Sequence, residues 1–284
     1  MENLLSELRF DPLDYVAHLE SPIGVYLLKK VFDKEPKEAL RKKLYEKTIA
    51  DQSADGSWHQ LFVQTANSLW DLCLLGFGAE DPSVKKGLDW LRSIQKYEYH
   101  GFPGFFYSGN RKDPSLMRSI LYGEFGPGCS NFYQTTYAVH LFHLFGFDYD
   151  PQVKTTIDSY LKIWGDKGKY CGLWCTLNVF RILLEHPLSR ESKQVEIGLK
   201  VLAEKQTKIG GWKEGHQQYP FYHTFQALSR SKHPLAKQQL EKAFPSIIKR
   251  QNKDGSWGEK AQETKTYLLL DALKNIYIIH ESFA

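Results

Sequence analysis

Cysteine is scarce in this chain, and no sign of charge dominates it. Four cysteines occur in 284 residues. Cys171 and Cys175 stand one helical turn apart, a poor geometry for a disulfide, and Cys73 and Cys129 have no evident mates. This usage fits a reducing compartment rather than a disulfide scaffold. The 37 basic and 33 acidic residues leave a net charge of +4 with no block of like charges, which removes the electrostatic footprint of a nucleic-acid partner. No apolar run approaches the roughly 18 residues of a membrane span, and the stretch from Met1 to Phe10 carries acids where a signal peptide needs bases. The expectation is a cytoplasmic protein with no transmembrane segment, while peripheral contact with a membrane stays open.

Aromatic residues, by contrast, are abundant: 16 Tyr, 17 Phe and 7 Trp make up 14% of the chain. They can fill a core or line a pocket, and composition does not separate the two. Order along the chain says more. Gln52-Ser-Ala-Asp-Gly-Ser-Trp58 returns as Gln251-Asn-Lys-Asp-Gly-Ser-Trp257, and in altered form as Gln206-Thr-Lys-Ile-Gly-Gly-Trp212 and as a stretch from Gln95 to Phe105. Gln52 and Gln95 are 43 residues apart, Gln206 and Gln251 are 45. Periods of this size call for an array of helical hairpins or a closed ring.

Helical periodicity supports this. Asp11-Pro12 and Ser21-Pro22 mark the starts of two short helices. Amphipathic helices are predicted at 36–50, 82–95, 152–164, 193–206 and 236–251, each followed by a helix apolar on nearly all sides, at 63–77, 131–147, 170–184, 219–228 and 264–279. An insertion at about 100–129 is rich in Gly, Pro, Phe and Tyr, and loops this long are usually functional or mobile. Six outer and six inner helices form one domain over residues 1–284. The expected fold is all-α, an (α/α)6 barrel or toroid, because an open solenoid needs polar end caps that the last helix does not offer.

The Gln-x-x-Asp-Gly-Ser-Trp stretches resemble the QW repeat of squalene-hopene and oxidosqualene cyclases, and the hairpin pattern extends over nearly the whole chain. The segment Tyr170-Cys171-Gly172-Leu173 and that from Gln206 to Leu228 resemble equally the β-subunits of protein prenyltransferases, which share the toroid. The resemblance implies an isoprenoid-like hydrophobic ligand in a central cavity. It implies little about chemistry, since the repeat is a structural brace. The Asp-x-Asp-Asp acid of class II terpene cyclases is missing, as no Asp-Asp pair occurs, and so is the Asp-Asp-x-x-Asp magnesium motif. Where the prenyltransferases hold zinc through Asp and Cys, this chain has Tyr219 and Phe221. No metal or other cofactor is therefore expected, although Cys171, Cys175 and His223 could be brought together by helical spacing.

The remaining candidates come from the inner helices. Tyr133, Tyr137, Tyr170, Trp174, Tyr219 and Tyr222 could form an aromatic wall that binds a polyene or steadies a carbocation, with core filling the alternative for each. His140 and His143 share a helix face; together with Cys171, His140 joins the candidate substrate contacts. Asp71 and Glu263 are acids in otherwise buried helices, a costly placement unless they are functional or paired, for example with Arg181 or Lys265. Glu263, then Asp71, are the expected proton sources, with His223 beside them. The leading reading is a terpenoid-cyclase-like protein that binds, and as an enzyme cyclises, an isoprenoid-like substrate by acid-initiated carbocation chemistry. A noncatalytic toroid that binds a hydrophobic ligand or a protein is the alternative, and a carbohydrate-active α/α barrel with paired carboxylates a further one.

Overall fold

The structure is a computed structural model that describes residues 7–95, 97–99, 101–106, 118–119, 123–124, 130–169 and 173–281. Among them are twelve α-helices, set out as six hairpins. The outer member of each hairpin is α1 (Leu13–Ala17), α3 (Glu38–Ile49), α5 (Pro82–Ser93), α7 (Pro151–Trp164), α9 (Lys193–Glu204) and α11 (Pro234–Lys249). The inner members are α2 (Pro22–Lys30), α4 (Phe62–Leu74), α6 (Ser130–Leu144), α8 (Leu173–Glu185), α10 (Phe221–Leu228) and α12 (Gln262–Glu281). Each inner helix packs on the next, α2 on α4 and so on to α12, and α12 packs back on α2. The ring is closed, an α/α toroid as expected.

Helix starts follow the chemistry of the sequence. Asp81 and Asp150 accept hydrogen bonds from the first backbone amides of α5 and α7, each just before a proline that needs no partner for its missing N–H. Ser21 does the same for α2, and the Nδ1 of His233 for α11. Strands are confined to three two-stranded antiparallel ribbons, β1 (Tyr97–Tyr99) with β2 (Phe102–Phe105), β3 (Arg118–Ser119) with β4 (Gly123–Glu124), and β5 (Lys213–Glu214) with β6 (Gln217–Gln218). The first straddles the start of the expected insertion and the second falls within it, and most of that insertion lies outside the described residues. The third shortens α10, so that Tyr219 precedes the helix instead of opening it.

The repeated signature is a staple between neighbouring hairpins. Gln52 Nε2 donates to Gly56 O within its own turn (3.0 Å) and to Ser83 O in the next outer helix (2.9 Å). Gln95 bridges Gly104 O and Gln152 O, and Gln206 bridges Gly210 O and Gln239 O, in the same way. At the seam Gln251 donates to Gly255 O and to Phe10 O, and accepts from Phe10 N, tying the last hairpin to the first. The glycine is obligatory. Gly56 has φ +90°, and a Cβ there would come within 2.3 Å of Lys86 O, a clash on top of a left-handed backbone that other residues resist.

The signature tryptophans are buried: Trp58 and Trp212 are each 2% exposed, and Trp257 is fully enclosed. The Trp58 Nε1 donates to Thr48 O and that of Trp257 to Ile247 O. A threonine on the following inner helix accepts the tryptophan's backbone N–H, Thr65 for Trp58 and Thr266 for Trp257. In the second repeat Phe106 takes that backbone role, bonding Thr135, while the ring of Phe105 meets Tyr160 edge-on. Between α7 and α8 Trp164, at the end of the outer helix, stacks on Phe180 and donates to Gln194 O. A Cβ on Gly198 would meet both rings, much as one on Gly87 would meet Trp58 and Leu69.

Candidate functional site

The centre of the ring carries an uneven lining. On α4, Leu69 packs outward against Gly87 of α5. Gln64, Asn67 and Asp71 recur at helical spacing on the opposite side, which is the side facing the centre. All three are only partly buried, so α4 is not apolar on nearly all sides as its sequence suggests. Water reaches this strip. Asn67 Oδ1 accepts from the buried hydroxyl of Tyr137 on α6 (2.9 Å), and the Tyr133 ring lies 6.0 Å from that of Tyr137.

The Asp71 carboxyl has no hydrogen-bond or ion-pair partner among the described residues. Burial, reinforced by the negative charge of Glu263 and only partly offset by Lys47, pushes its carboxyl up to about 7. Glu263, in the first turn of α12, accepts a hydrogen bond from the Ser21 hydroxyl. Neither acid pairs with Arg181 or Lys265. Lys265 instead stands over the Tyr222 ring, 5.5 Å from its centroid, and Tyr222 and His223 in the first turn of α10 are partly buried.

Beside this strip, aromatic rings of α2, α4, α6 and α12 close together. Tyr267 of α12 meets Tyr26 of α2 at 5.6 Å and Trp70 of α4 at 5.9 Å, and Trp70 meets His140 of α6 at 5.8 Å. His140 is 1% exposed, and burial holds its imidazole far below the usual histidine range, so it is neutral. The Trp70 indole N–H is a buried donor with no acceptor among the described residues.

Under the rings runs an ionic chain. Arg230, just past α10, donates to Glu185 Oε1 (3.2 Å) and to Asp271 Oδ2 (2.5 Å). Asp271 also accepts from Gln226 Nε2 and from the Tyr26 hydroxyl, both at 2.7 Å. Burial works against the charge on Glu185, yet Arg230 and the His143 hydrogen bond outweigh it and hold the carboxyl far below its usual range. The chain continues to His143, whose Nε2 is 3.5 Å from Glu185 Oε1 and whose Nδ1 is 2.5 Å from Asp148 Oδ1, and ends at His186, 3.3 Å from the same Asp148 oxygen. Burial depresses the His186 imidazole to about 4. For His143 burial is overcome by its two carboxylate partners, and its pKa rises.

The sequence-based candidates thus separate. Asp71, Glu263, Tyr222 and His223 stand on inner helices around the centre, with Tyr137 joined to the strip through Asn67. His140 belongs to the aromatic floor and lies 3.8 Å from Glu185. Tyr219 goes elsewhere: it is 4% exposed and lines a small void with Trp164, Phe180 and Leu202 between α8 and α9. Burial raises its hydroxyl to about 12. Tyr170 and Cys171, and the side chain of Trp174, lie outside the described residues. Glu185, Arg230, Asp271, Asp148 and His186 are missed by the sequence reading. Their one signal was a lone titratable residue within or just after each apolar helix.

No protein-family model matches the chain, and no curated protein does. Solved structures do share the fold. One is the type II terpene cyclase MstE from Scytonema in complex with geranylgeranyl dihydroxybenzoate, described as its substrate. It is 13% identical over 94% of this chain and 87% of that one, with a TM-score of 0.59. The same cyclase in complex with merosterolic acid A, described as its product, gives 12% identity over 92% and 87%, and a TM-score of 0.60. A protein from Actinoplanes gives 14% over 90% and 89%, with a TM-score of 0.56. The chain therefore has a terpenoid-cyclase-like fold. Among the described residues no helix is long and apolar enough to cross a membrane.

Proposed function

We propose that this protein is a terpenoid-cyclase-like enzyme that takes an isoprenoid-like hydrophobic substrate into the centre of its ring and starts cyclisation by proton transfer from Asp71. The observation that carries the reading is the Asp71 carboxyl itself, unpaired, facing the ring centre and raised to about 7, in a fold shared with type II terpene cyclases. A general acid must hold its proton at working pH. Glu263, the stronger candidate by sequence, takes second place because its carboxyl group is already engaged by the Ser21 hydroxyl, whereas that of Asp71 is unpaired. Its charge in turn keeps the Asp71 proton in place.

An acid of this strength is a weak donor toward an isolated alkene. It suits an epoxide oxygen better, because a more basic acceptor lowers the demand on the acid. Tyr133, Tyr137 and Tyr222, with Tyr170 and Trp174, are the proposed aromatic contacts that steady positive charge developing on the substrate. His140 and His223 belong to the same environment, Tyr219 is dropped from the contacts, and a cytoplasmic location is part of the proposal. Incubation with linear prenyl diphosphates, squalene and oxidosqualene, followed by product analysis, tests it. Turnover that disappears in Asp71→Asn is the expected result. Turnover that survives this change would defeat the assignment, and stabilisation of the protein by these compounds without any turnover would make it a binding toroid.

A further inference from the structure

We infer that His143, Asp148 and His186 form a binding site for a divalent transition-metal ion, at the rim opposite the repeated staples and apart from the proposed acid. One donor atom from each of the three lies within 4.8 Å of the other two. Sequence spacing does not announce this trio: its only candidate set, Cys171, Cys175 and His223, belongs to other helix positions. The three residues come from different elements, the last turn of α6, the connection to α7, and the residue that directly follows α8.

Local backbone structure holds each donor in place. Gly146, with φ +82°, and Phe147 close the end of α6 by bonding back to His143 O and Phe142 O, which turns Asp148 toward the helix it follows. The His186 amide still bonds to Ile182 O, so its ring leaves α8 in a fixed direction. The contact between His186 Nε2 and Asp148 Oδ1 is 3.3 Å, close to the edge of a tetrahedron whose metal–ligand bonds are about 2.0–2.2 Å. The 2.5 Å contact between His143 and Asp148 is shorter than such an edge, so the carboxylate has to swing away by about 1 Å to admit the ion.

Two further features point to a ligand. His186 is 1% exposed, and its Nε2, 3.3 Å from the Asp148 carboxylate but out of line for a hydrogen bond, has no hydrogen-bond partner among the described residues. A buried polar atom left in this way calls for an explanation. In addition, His143 turns its second ring nitrogen to Glu185, 3.5 Å away, and Glu185 is fixed by Arg230. A carboxylate behind a ligating histidine is the recurrent support of metal sites, because it orients the ring and raises its basicity.

The donor set narrows the ion. Two imidazoles with a single carboxylate suit Zn2+ or a neighbouring first-row ion, whereas Mg2+ and Ca2+ demand more oxygen ligands. Three protein ligands leave a fourth position for water, and His143 and Asp148, each about a fifth exposed, leave room for it to enter. The cost falls on His186. Its Nδ1 faces the Leu188 N–H at 3.3 Å, which puts the ring proton on Nε2; metal at Nε2 moves that proton to Nδ1 and opens the Leu188 contact.

The test uses the full chain stripped of metal with a chelator. ZnCl2 followed by calorimetry should show one equivalent bound and a raised melting temperature, and CoCl2 should give the visible bands of a four- or five-coordinate ion. Asp148→Asn and His186→Gln should each weaken binding by more than about tenfold, the scale at which even supporting groups matter. Imidazole nitrogen NMR on the unmodified protein covers the case in which a variant fails to fold. Zinc should shift both His143 and His186 and switch the His186 proton from Nε2 to Nδ1. Absence of zinc binding, or binding that leaves these two rings unmoved, overturns the inference.

Discussion

Replacing Asp71 by Asn removes a charge that the fold disfavours, and the effect on stability depends on pH in a direction that can be worked out. In the unfolded chain the carboxyl titrates near its ordinary 3.8, and in the folded protein near 7. Below pH 3.8 both states hold the proton and the residue costs nothing. As pH rises the unfolded state ionises first, so folding is progressively penalised until the folded carboxyl also ionises near pH 7, after which the penalty is constant. A shift of this size is worth on the order of 4 kcal/mol at about 1.4 kcal/mol per pH unit. The carboxyl is partly open to water, which lowers the expected gain to about 2–4 kcal/mol. The substituted amide keeps the shape of the carboxyl and never ionises. Denaturant unfolding at pH 4.5, 6 and 8 should therefore show the variant gaining on the wild type as pH rises, with most of the gain in place by pH 8. A difference that stays flat over this range, or a variant less stable at pH 8, would mean that Asp71 is not held neutral and would remove the physical basis for its role as the acid.

Trp58→Ala should lose about 3–5 kcal/mol, the range for deleting a buried large aromatic side chain, and a loss under about 0.5 kcal/mol in thermal or denaturant unfolding would show that the ring is not a packing plug. Gln251→Ala removes two hydrogen bonds across the seam and one within its own turn and should cost about 2–4 kcal/mol; amide exchange should accelerate first at α1 and α12, and uniform acceleration around the ring would contradict its role as a local clasp. Arg230→Ala leaves Glu185 and Asp271 buried without their shared cation, so a loss of about 3–5 kcal/mol is expected by calorimetry, whereas a neutral result would show that the two acids find other partners.

The ring was legible because its determinants are local. Asp-Pro and Ser-Pro starts, the Gln to Gly turn and the apolar inner helices each act within a few residues, and the period repeats them. The fourth hairpin broke the pattern, since Trp164 does there from the outer helix what a signature Trp does elsewhere. The lining of the centre was harder to read. Asp71 and Glu263 were visible as acids in apolar helices, but their order was not, because the Ser21 hydroxyl that occupies Glu263 is 242 residues away in sequence. The chain from Tyr26 through Asp271, Arg230 and Glu185 to His186 left no local motif at all. Each member is a single polar residue in or just past its inner helix, and only the packing of one inner helix on the next brings them together.

That closure carries a cost in time. Phe10 and Gln251 are bonded across 241 residues, so the clasp between first and last hairpins is among the final contacts available to a chain leaving the ribosome. Until then the growing crescent carries a raw apolar flank at each end, the inner face of α2 on one side and the newest helix on the other. Contacts of such long sequence separation form slowly, and partly built molecules with exposed apolar surface are the ones that associate wrongly. Two crescents meeting flank to flank would satisfy each other as α12 and α2 do within one molecule. Swapped dimers are thus the characteristic hazard of this architecture, and because a neighbour's Phe10 would offer Gln251 the same bonds, it is the higher local concentration of the chain's own first hairpin that favours closure within one molecule.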